Sequence, residues 1–195
     1  MGPKSAERGR EVRERLLVAA VELIAERGWG GVSTRTVAER AGVGAGLVHY
    51  HFGSVQELLS AAAVAAMREV GGSLESLLEQ VEDPADALRL MVSSLDDYTG
   101  DDAVSMVFTE AYLAATRDAQ LRDQVAEVMA EFRARLAGWL GARGVAEPEA
   151  TAAVVGASID GLVMQRALDP ALTSEVVLPV LVRMVQTPGG ARWRS

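Results

Sequence analysis

The sequence contains no cysteine, only two histidines, and few aromatic residues, which make up 5% of its 195 positions. The absence of cysteine excludes a disulfide scaffold, a thiolate metal site and a thiol nucleophile. His49 and His51 stand two residues apart on a predicted helix, so their side chains point to different faces, which argues against a metal-binding pair. We therefore expect neither a metal nor a cofactor.

Long apolar runs and a hydrophobic leader are also missing. The longest apolar stretches, 58–67 and 150–159, are too short and too rich in alanine to span a bilayer, and the segment 1–15 is charged. We expect a cytoplasmic protein with no membrane partner. No nucleophile elbow, phosphate-binding glycine loop or carboxylate–histidine constellation is present, which argues against an enzyme. A cofactor-free helical enzyme remains as an alternative that ligand turnover would reveal.

What the sequence does contain is helix-forming material. Alanine, leucine, valine, glutamate and arginine dominate, and no stretch alternates with period two between turn residues. We predict an all-α protein, with a fourth helix that Gly71-Gly72 interrupts or ends and a frayed tail at 188–195. The predicted helices cover about 11–27, 34–41, 45–52, 55–70, 84–98, 103–117, 120–142, 148–168 and 174–186.

Charge is distributed unevenly along the chain. The net charge is −8. Residues 1–60 carry eight basic and seven acidic side chains, a net of +1, whereas the remainder carries eleven and twenty, a net of −9. The first part can approach phosphates, and the acidic remainder would face away from nucleic acid. Arg8, Arg10, Arg13 and Arg15 form a basic arm that we expect to add phosphate or minor-groove contacts.

The segment 33–52, STRTVAERAGVGAGLVHYHF, has the pattern of a helix-turn-helix motif. Ala38 is small where two helices would cross, and Gly42 suits a turn position that requires positive φ. The first helix of the motif would hold a phosphate at its N-terminus, and the second would lie in the major groove of double-stranded DNA. The predicted DNA-binding residues are Ser33, Thr34, Arg35, Thr36, Gly44, Ala45, Gly46, His49, Tyr50 and His51.

These residues carry a family resemblance. Residues 1–58 resemble the DNA-binding domain of TetR-type (tetracycline-repressor-like) regulators in Thr34-Arg35, Val37-Ala38, Ala41-Gly42-Val43, the run 46–52, Gly53-Ser54 and Glu57-Leu58. The segment 159–170 is similar to the helix that dimerises in many members. The resemblance implies a three-helix DNA-binding domain at 1–58, followed at 59–195 by a helical domain for ligand binding and homodimerisation.

Three positions depart from the family pattern. Val55 stands where the family usually has a phosphate-binding lysine, Gly44 replaces the usual serine cap, and His49 replaces a common tyrosine. Losing one phosphate contact lowers the salt dependence of binding by about one unit. The departures therefore concern affinity more than the fold.

The resemblance also implies where the effector and the second subunit bind. Bulky or adaptable side chains on the middle helices are candidates for a pocket, and small or apolar residues on the last two helices are candidates for a dimer interface. Glu110 and Asp160 lie in apolar runs, where each would either face a ligand or be solvated or capped. The pocket candidates are Met91, Tyr98, Met106, Phe108, Tyr112, Met129, Phe132, Trp139 and Met164; the interface candidates are Ala153, Ala157, Gly161, Val177, Leu181 and Met184.

The predicted function is a ligand-responsive repressor that binds a pseudo-palindromic operator as a dimer and is released by a small, largely apolar effector. The acidity of the chain and Val55 leave open a helical small-molecule carrier that has lost specific DNA binding. No feature of the sequence separates a repressor from an activator of the same family. Duplex binding that weakens with salt would separate the regulator from the carrier.

Overall fold

The computed structural model describes residues 3–186, with side chains from residue 6 onward, and within this range the chain is helical and contains no strand. The all-α prediction is confirmed, and the predicted frayed tail lies outside the described residues. Short 3₁₀ helices occur at Trp29–Gly31 and Ser94–Asp97. The α-helices are α1 (Pro3–Arg27), α2 (Thr34–Ala41), α3 (Gly46–Phe52), α4 (Val55–Leu78), α5 (Pro84–Ser93), α6 (Ala103–Ala115), α7 (Ala119–Gly141), α8 (Pro148–Arg166) and α9 (Ser174–Val185).

The chain forms two compact units, each made from two separate stretches of sequence. The first unit combines residues 1–69 with 101–126, and the second combines 70–100 with 127–195. The predicted functional division after residue 58 stays a prediction. No helix among the described residues is long and apolar enough to cross a membrane.

In the first unit α1 packs against α2 and α6. Aliphatic side chains recurring every three or four residues along α1 give it one buried face. The central buried residues are Leu16, Ala20, Leu23, Ile24, Val37, Val48, Leu58, Leu59, Val107 and Ala111.

In the second unit α5 packs against α9, and α8 also contacts α9. Asp83 caps α5 by accepting hydrogen bonds from the amides of Ala85 and Asp86, and Pro84 occupies the first turn, as predicted. The central buried residues are Leu74, Leu88, Met91, Val92, Leu95, Leu136, Leu140, Ala152, Val155, Leu181 and Val182.

Two predicted helix boundaries differ most from the structure. α1 begins at Pro3 instead of residue 11, because 4–10 contains several good helix formers and proline is favoured in a first helical turn. The basic arm is therefore part of α1. α4 continues through Gly71-Gly72 to Leu78, since burial of Leu74 and Leu78 on the core face offsets the low helix propensity of glycine.

Candidate nucleic-acid interface

Gly42 forms the bend between α2 and α3. It has φ 64° and ψ 39°, the left-handed conformation that the sequence predicted. The Gly42 amide donates to the carbonyl of Glu39 at 3.2 Å, and the Val43 amide donates to that of Ala38 at 3.0 Å. These bonds satisfy carbonyls at the end of α2 in the manner of a Schellman motif, and they set the direction in which the chain leaves the helix.

One side of the helix-turn-helix motif is buried against the rest of the first unit. Val37 and Ala38 of α2 and Val48 and Phe52 of α3 are all buried. The side chains on the opposite side of both helices must therefore face solvent. This burial determines which residues can meet a nucleic acid.

The N-terminus of α2 is held by a capping box. The Thr36 amide donates to Ser33 Oγ at 3.2 Å, and the Ser33 amide donates to Thr36 Oγ1 at 3.0 Å. Two of the predicted DNA-binding hydroxyls therefore stabilise the helix start. Thr34 and Arg35 form the first turn, where backbone amides have no intrahelical acceptor and can bind a phosphate.

Arg35 has the most exposed cationic group at this end of α2. Its Nε lies 2.8 Å from Glu39 Oε1, and the arginine side chain is 85% exposed. An ion pair this exposed contributes little stability, because water and salt screen it. The guanidinium can leave Glu39 for a phosphate at small cost.

α3 presents a flat N-terminal end and a protruding aromatic ring. Gly44, Ala45 and Gly46 are exposed, and a Cβ built on either glycine would meet no atom within 4 Å. Tyr50, at 73% exposure, is the most exposed large hydrophobic side chain of this helix. The small residues permit close approach to base edges, and the tyrosine hydroxyl can donate to a phosphate.

The two histidines differ in their surroundings. His49 is exposed, and its Nδ1 lies 2.8 Å from the carbonyl oxygen of Gly53. His51 is half-buried; its ring meets that of Tyr50 edge-on at 5.0 Å and lies close to Gly9 of α1. His51 thus packs beside α1, so the structure favours His49 and Tyr50 as the exposed polar side chains of α3.

Two arginines near the motif have partners within the unit. Arg13 lies over the Phe52 ring, 4.9 Å from its centroid. Arg40 Nη1 is 2.9 Å from Glu22 and Arg40 Nη2 is 2.7 Å from Glu26, which links α2 to α1. The hydrogen bond from Arg40 lowers the pKa of the Glu26 carboxyl below its ordinary value. Sequence reasoning missed this three-residue cluster, because only the fold brings the three side chains together.

The chain between α1 and α2 is hydrogen-bonded to α6. The Trp29 amide donates to Glu110 Oε2 at 2.7 Å, and Trp29 Nε1 donates to Gln56 Oε1 at 2.9 Å. Gly28 has φ 71°, and a Cβ there would lie 3.3 Å from Glu110 Oε1. Of the two roles considered for Glu110, the structure supports the capped carboxylate.

The pocket candidates lie in both units. In the second unit Met91 is fully buried, Tyr98, Phe132 and Trp139 pack against the same core, and Met164 is 41% exposed. Met129 is half-buried on α7. In the first unit three half-buried candidates follow one another along α6: Met106, Phe108 and Tyr112.

The interface candidates include residues that pack within the chain itself. Leu181 belongs to the core of the second unit, and Val177 and Met184 pack against it. Ala153 and Gly161 are half-buried, and Ala157 is exposed. The large apolar side chains that α8, α9 and their connection leave exposed are Val154, Met164, Leu168, Val176 and Val180.

Comparison with known proteins identifies both parts of the chain. Residues 16–62 match the family model described as bacterial regulatory proteins, tetR family, and residues 79–187 match the one described as tetracyclin repressor-like, C-terminal domain. An uncharacterized HTH-type transcriptional regulator of Mycobacterium tuberculosis is 30% identical over 139 residues, covering 70% of this chain and 69% of its own length.

Two solved structures have the same fold over most of their length. A transcriptional regulator from Rhodococcus sp. is 31% identical with a TM-score of 0.69, covering 89% of this chain and 93% of its own. The multidrug binding protein EbrR, solved with imidazole, is 28% identical with a TM-score of 0.68, covering 96% of this chain and 93% of its own. The chain therefore belongs to the TetR family of helix-turn-helix DNA-binding transcription regulators.

Proposed function

We propose that this regulator is a homodimeric repressor that binds a pseudo-palindromic operator and is released by a small, largely apolar effector. The observation that carries the proposal is the surface of α3, which leaves Ala45, Gly46, His49 and Tyr50 exposed while Val48 is buried beneath them. A helix fixed in this way on a helix-turn-helix scaffold can enter a major groove.

Thr34 and Arg35 at the start of α2 supply the sequence-independent part of the binding. The first-turn amides and the exposed guanidinium can hold the backbone beside the groove that α3 enters. Ser33 and Thr36 act through the capping box, by orienting those amides. The contacts made by α3 then distinguish one sequence from another.

Exposed apolar side chains on α8 and α9 support a homodimer. Single exposed hydrophobic residues are ordinary, but Val154, Met164, Val176 and Val180 occur on two consecutive helices that contact each other. A second copy related by a two-fold axis would cover this surface with an identical one. A two-fold dimer reads a pseudo-palindrome, because each copy offers the same helix to one half-site.

The second unit supplies candidate groups for an effector. Met91 is buried, and Tyr98, Phe132 and Trp139 pack against the same core, so a ligand entering there would meet mainly apolar surface. EbrR is described as a multidrug binding protein, which fits an adaptable site of this kind. The effector would weaken DNA binding by favouring an arrangement that fits the operator poorly.

Selection of bound duplexes from a random pool, using the purified full chain, tests the DNA-binding part. We expect an enriched pseudo-palindrome whose half-sites are separated by about one helical turn. Enrichment of a single, non-repeated site would contradict the dimeric arrangement, and no enrichment would favour the carrier. A reporter gene behind the selected sequence then separates repression from activation by the direction in which expression changes.

A further inference from the structure

His49 holds its ring toward the C-terminal end of α3. Its Nδ1 is 2.8 Å from the carbonyl oxygen of Gly53, the residue that follows the helix. A carbonyl oxygen offers only lone pairs, so the proton in this hydrogen bond must reside on Nδ1. In the neutral imidazole the other ring nitrogen, Nε2, then carries no proton and can only accept a hydrogen bond.

This tautomer restricts what the neutral side chain can bind. A phosphate oxygen is also only an acceptor, so neutral His49 has no proton to offer it. The imidazolium form carries a proton on both nitrogens and can keep the Gly53 bond while donating from Nε2. A hydrogen bond between an imidazolium and a phosphate is charge-assisted and therefore strong.

The position of the ring favours a phosphate over a base edge as its partner. The N-terminal residues of a recognition helix approach the bases, whereas the Gly53 bond draws the His49 ring toward the opposite end. His49 is exposed and adjoins the exposed Tyr50. Both side chains are therefore placed to meet the sugar–phosphate backbone.

Other charged and titratable groups around α3 are engaged with defined partners. On α2, Arg35 pairs with Glu39, and Arg40 bonds to Glu22 and Glu26 of α1. Arg13 of α1 lies over the Phe52 ring, and Glu57 of α4 accepts a hydrogen bond from Ser54. On α3 itself the rings of Tyr50 and His51 meet edge-on.

We infer that His49 binds an operator phosphate only as the imidazolium, so that DNA binding by this regulator takes up protons and strengthens on acidification. The inference rests on the proposed DNA contact of α3 and adds a pH sensitivity to it. Histidine is the only side chain that ordinarily titrates between about pH 5 and 8, and the sequence has just two histidines and no cysteine. His51 is therefore the natural control.

The test measures the Kd of the full chain for the selected operator and for a scrambled duplex from about pH 7.5 to 5.5, at constant ionic strength. Affinity for both duplexes should rise on acidification by up to about tenfold per pH unit for each imidazole that takes up a proton. His49→Gln should abolish most of this rise, whereas His51→Gln should retain it. Equal rises in the wild type and His49→Gln would overturn the inference.

A second measurement needs no DNA. The ring nitrogen chemical shifts of His49, measured by NMR above about pH 7.5, should report the Nδ1–H tautomer, and a predominant Nε2–H tautomer would overturn the inference. Binding that is absent at every pH overturns the proposed function as well, whereas specific binding with a flat pH profile overturns only the role of His49.

Discussion

The Glu110 carboxylate of α6 accepts a hydrogen bond of 2.7 Å from the backbone amide of Trp29, in the turn that joins α1 to the helix-turn-helix motif. The two residues are 81 positions apart in the sequence. The contact fixes the turn from which α2 starts, and it makes α6 part of the structure that holds the DNA-binding helices.

Glu110→Ala should destabilise the protein by about 1–2 kcal/mol, because it leaves a partly buried amide without its charged acceptor. Urea unfolding followed by circular dichroism measures the change. Glu110→Gln should cost less, since the amide oxygen can still accept the bond. Glu79→Ala is the matched control at an exposed position; an equal loss in the control would show that Glu110 has no special role.

Gly42→Ala should cost about 1 kcal/mol, because alanine is disfavoured at the φ of 64° observed there. A Cβ at Gly42 meets no atom of a more distant residue within 4 Å, so the cost comes from the local backbone conformation and not from packing. Asparagine, which tolerates this conformation, should cost less than alanine. Gly44→Ala provides the control, as Gly44 lacks a positive φ. In thermal unfolding the loss of stability should be largest for Gly42→Ala, smaller for Gly42→Asn and smallest for Gly44→Ala.

Arg35→Ala should weaken binding to all duplexes by a similar factor and reduce the slope of log affinity against log salt by about one. The reason is that a phosphate contact carries no sequence information. Arg89→Ala removes the same charge from an i,i+3 ion pair on α5 and should change neither quantity. An Arg35→Ala variant with wild-type affinity would exclude the proposed phosphate contact.

Val176→Glu together with Val180→Glu should yield monomers, because charge on this exposed apolar surface opposes its burial by a second copy. Sedimentation velocity measures the association, and operator affinity should fall along with it. Leu113→Glu, at a comparably exposed position on α6, is the control. Persistence of a dimer in the double variant would show that the interface lies on another surface.

Arg166→Ala should be strongly destabilising, by about 3 kcal/mol or more. This buried arginine donates to the carbonyls of Leu95, Tyr98 and Leu172 and pairs with Asp96 at 2.9 Å. Its removal takes a charged donor away from one buried and two partly buried carbonyls.

Asp96→Ala should cost less than Arg166→Ala, because half of the Asp96 side chain is exposed and the carbonyl contacts of the arginine survive. If urea unfolding shows equal losses of stability for the two variants, the ion pair, and not the carbonyl contacts, is the dominant interaction.

The local features of this fold were predictable from sequence, whereas the long-range ones were not. Gly42 and Asp83-Pro84 act within a few residues, so their patterns locate the bend after α2 and the start of α5. The contacts of Glu110 with Trp29 and of Arg166 with Leu95 join distant parts of the chain. No periodicity or motif in the sequence predicts such pairs.

At the DNA-binding site, too, local features were predictable from sequence and long-range ones were not. Sequence reasoning identified the exposed surface of α3 because the motif prescribes which positions are buried. It did not separate His49, which faces solvent, from His51, which packs beside Gly9. That difference depends on where α1 runs, and α1 begins eight residues earlier than its periodicity suggested, at Pro3 instead of residue 11.

The participation of 101–126 in the first unit has a practical consequence for protein engineering. A chimera that exchanges the N-terminal helices with those of a relative by a single crossover would keep a foreign α6 beneath them. Such a hybrid would match Trp29 with whatever side chain the recipient has at position 110. Operator specificity should therefore transfer more cleanly by substituting exposed residues of α3, or by exchanging both stretches together.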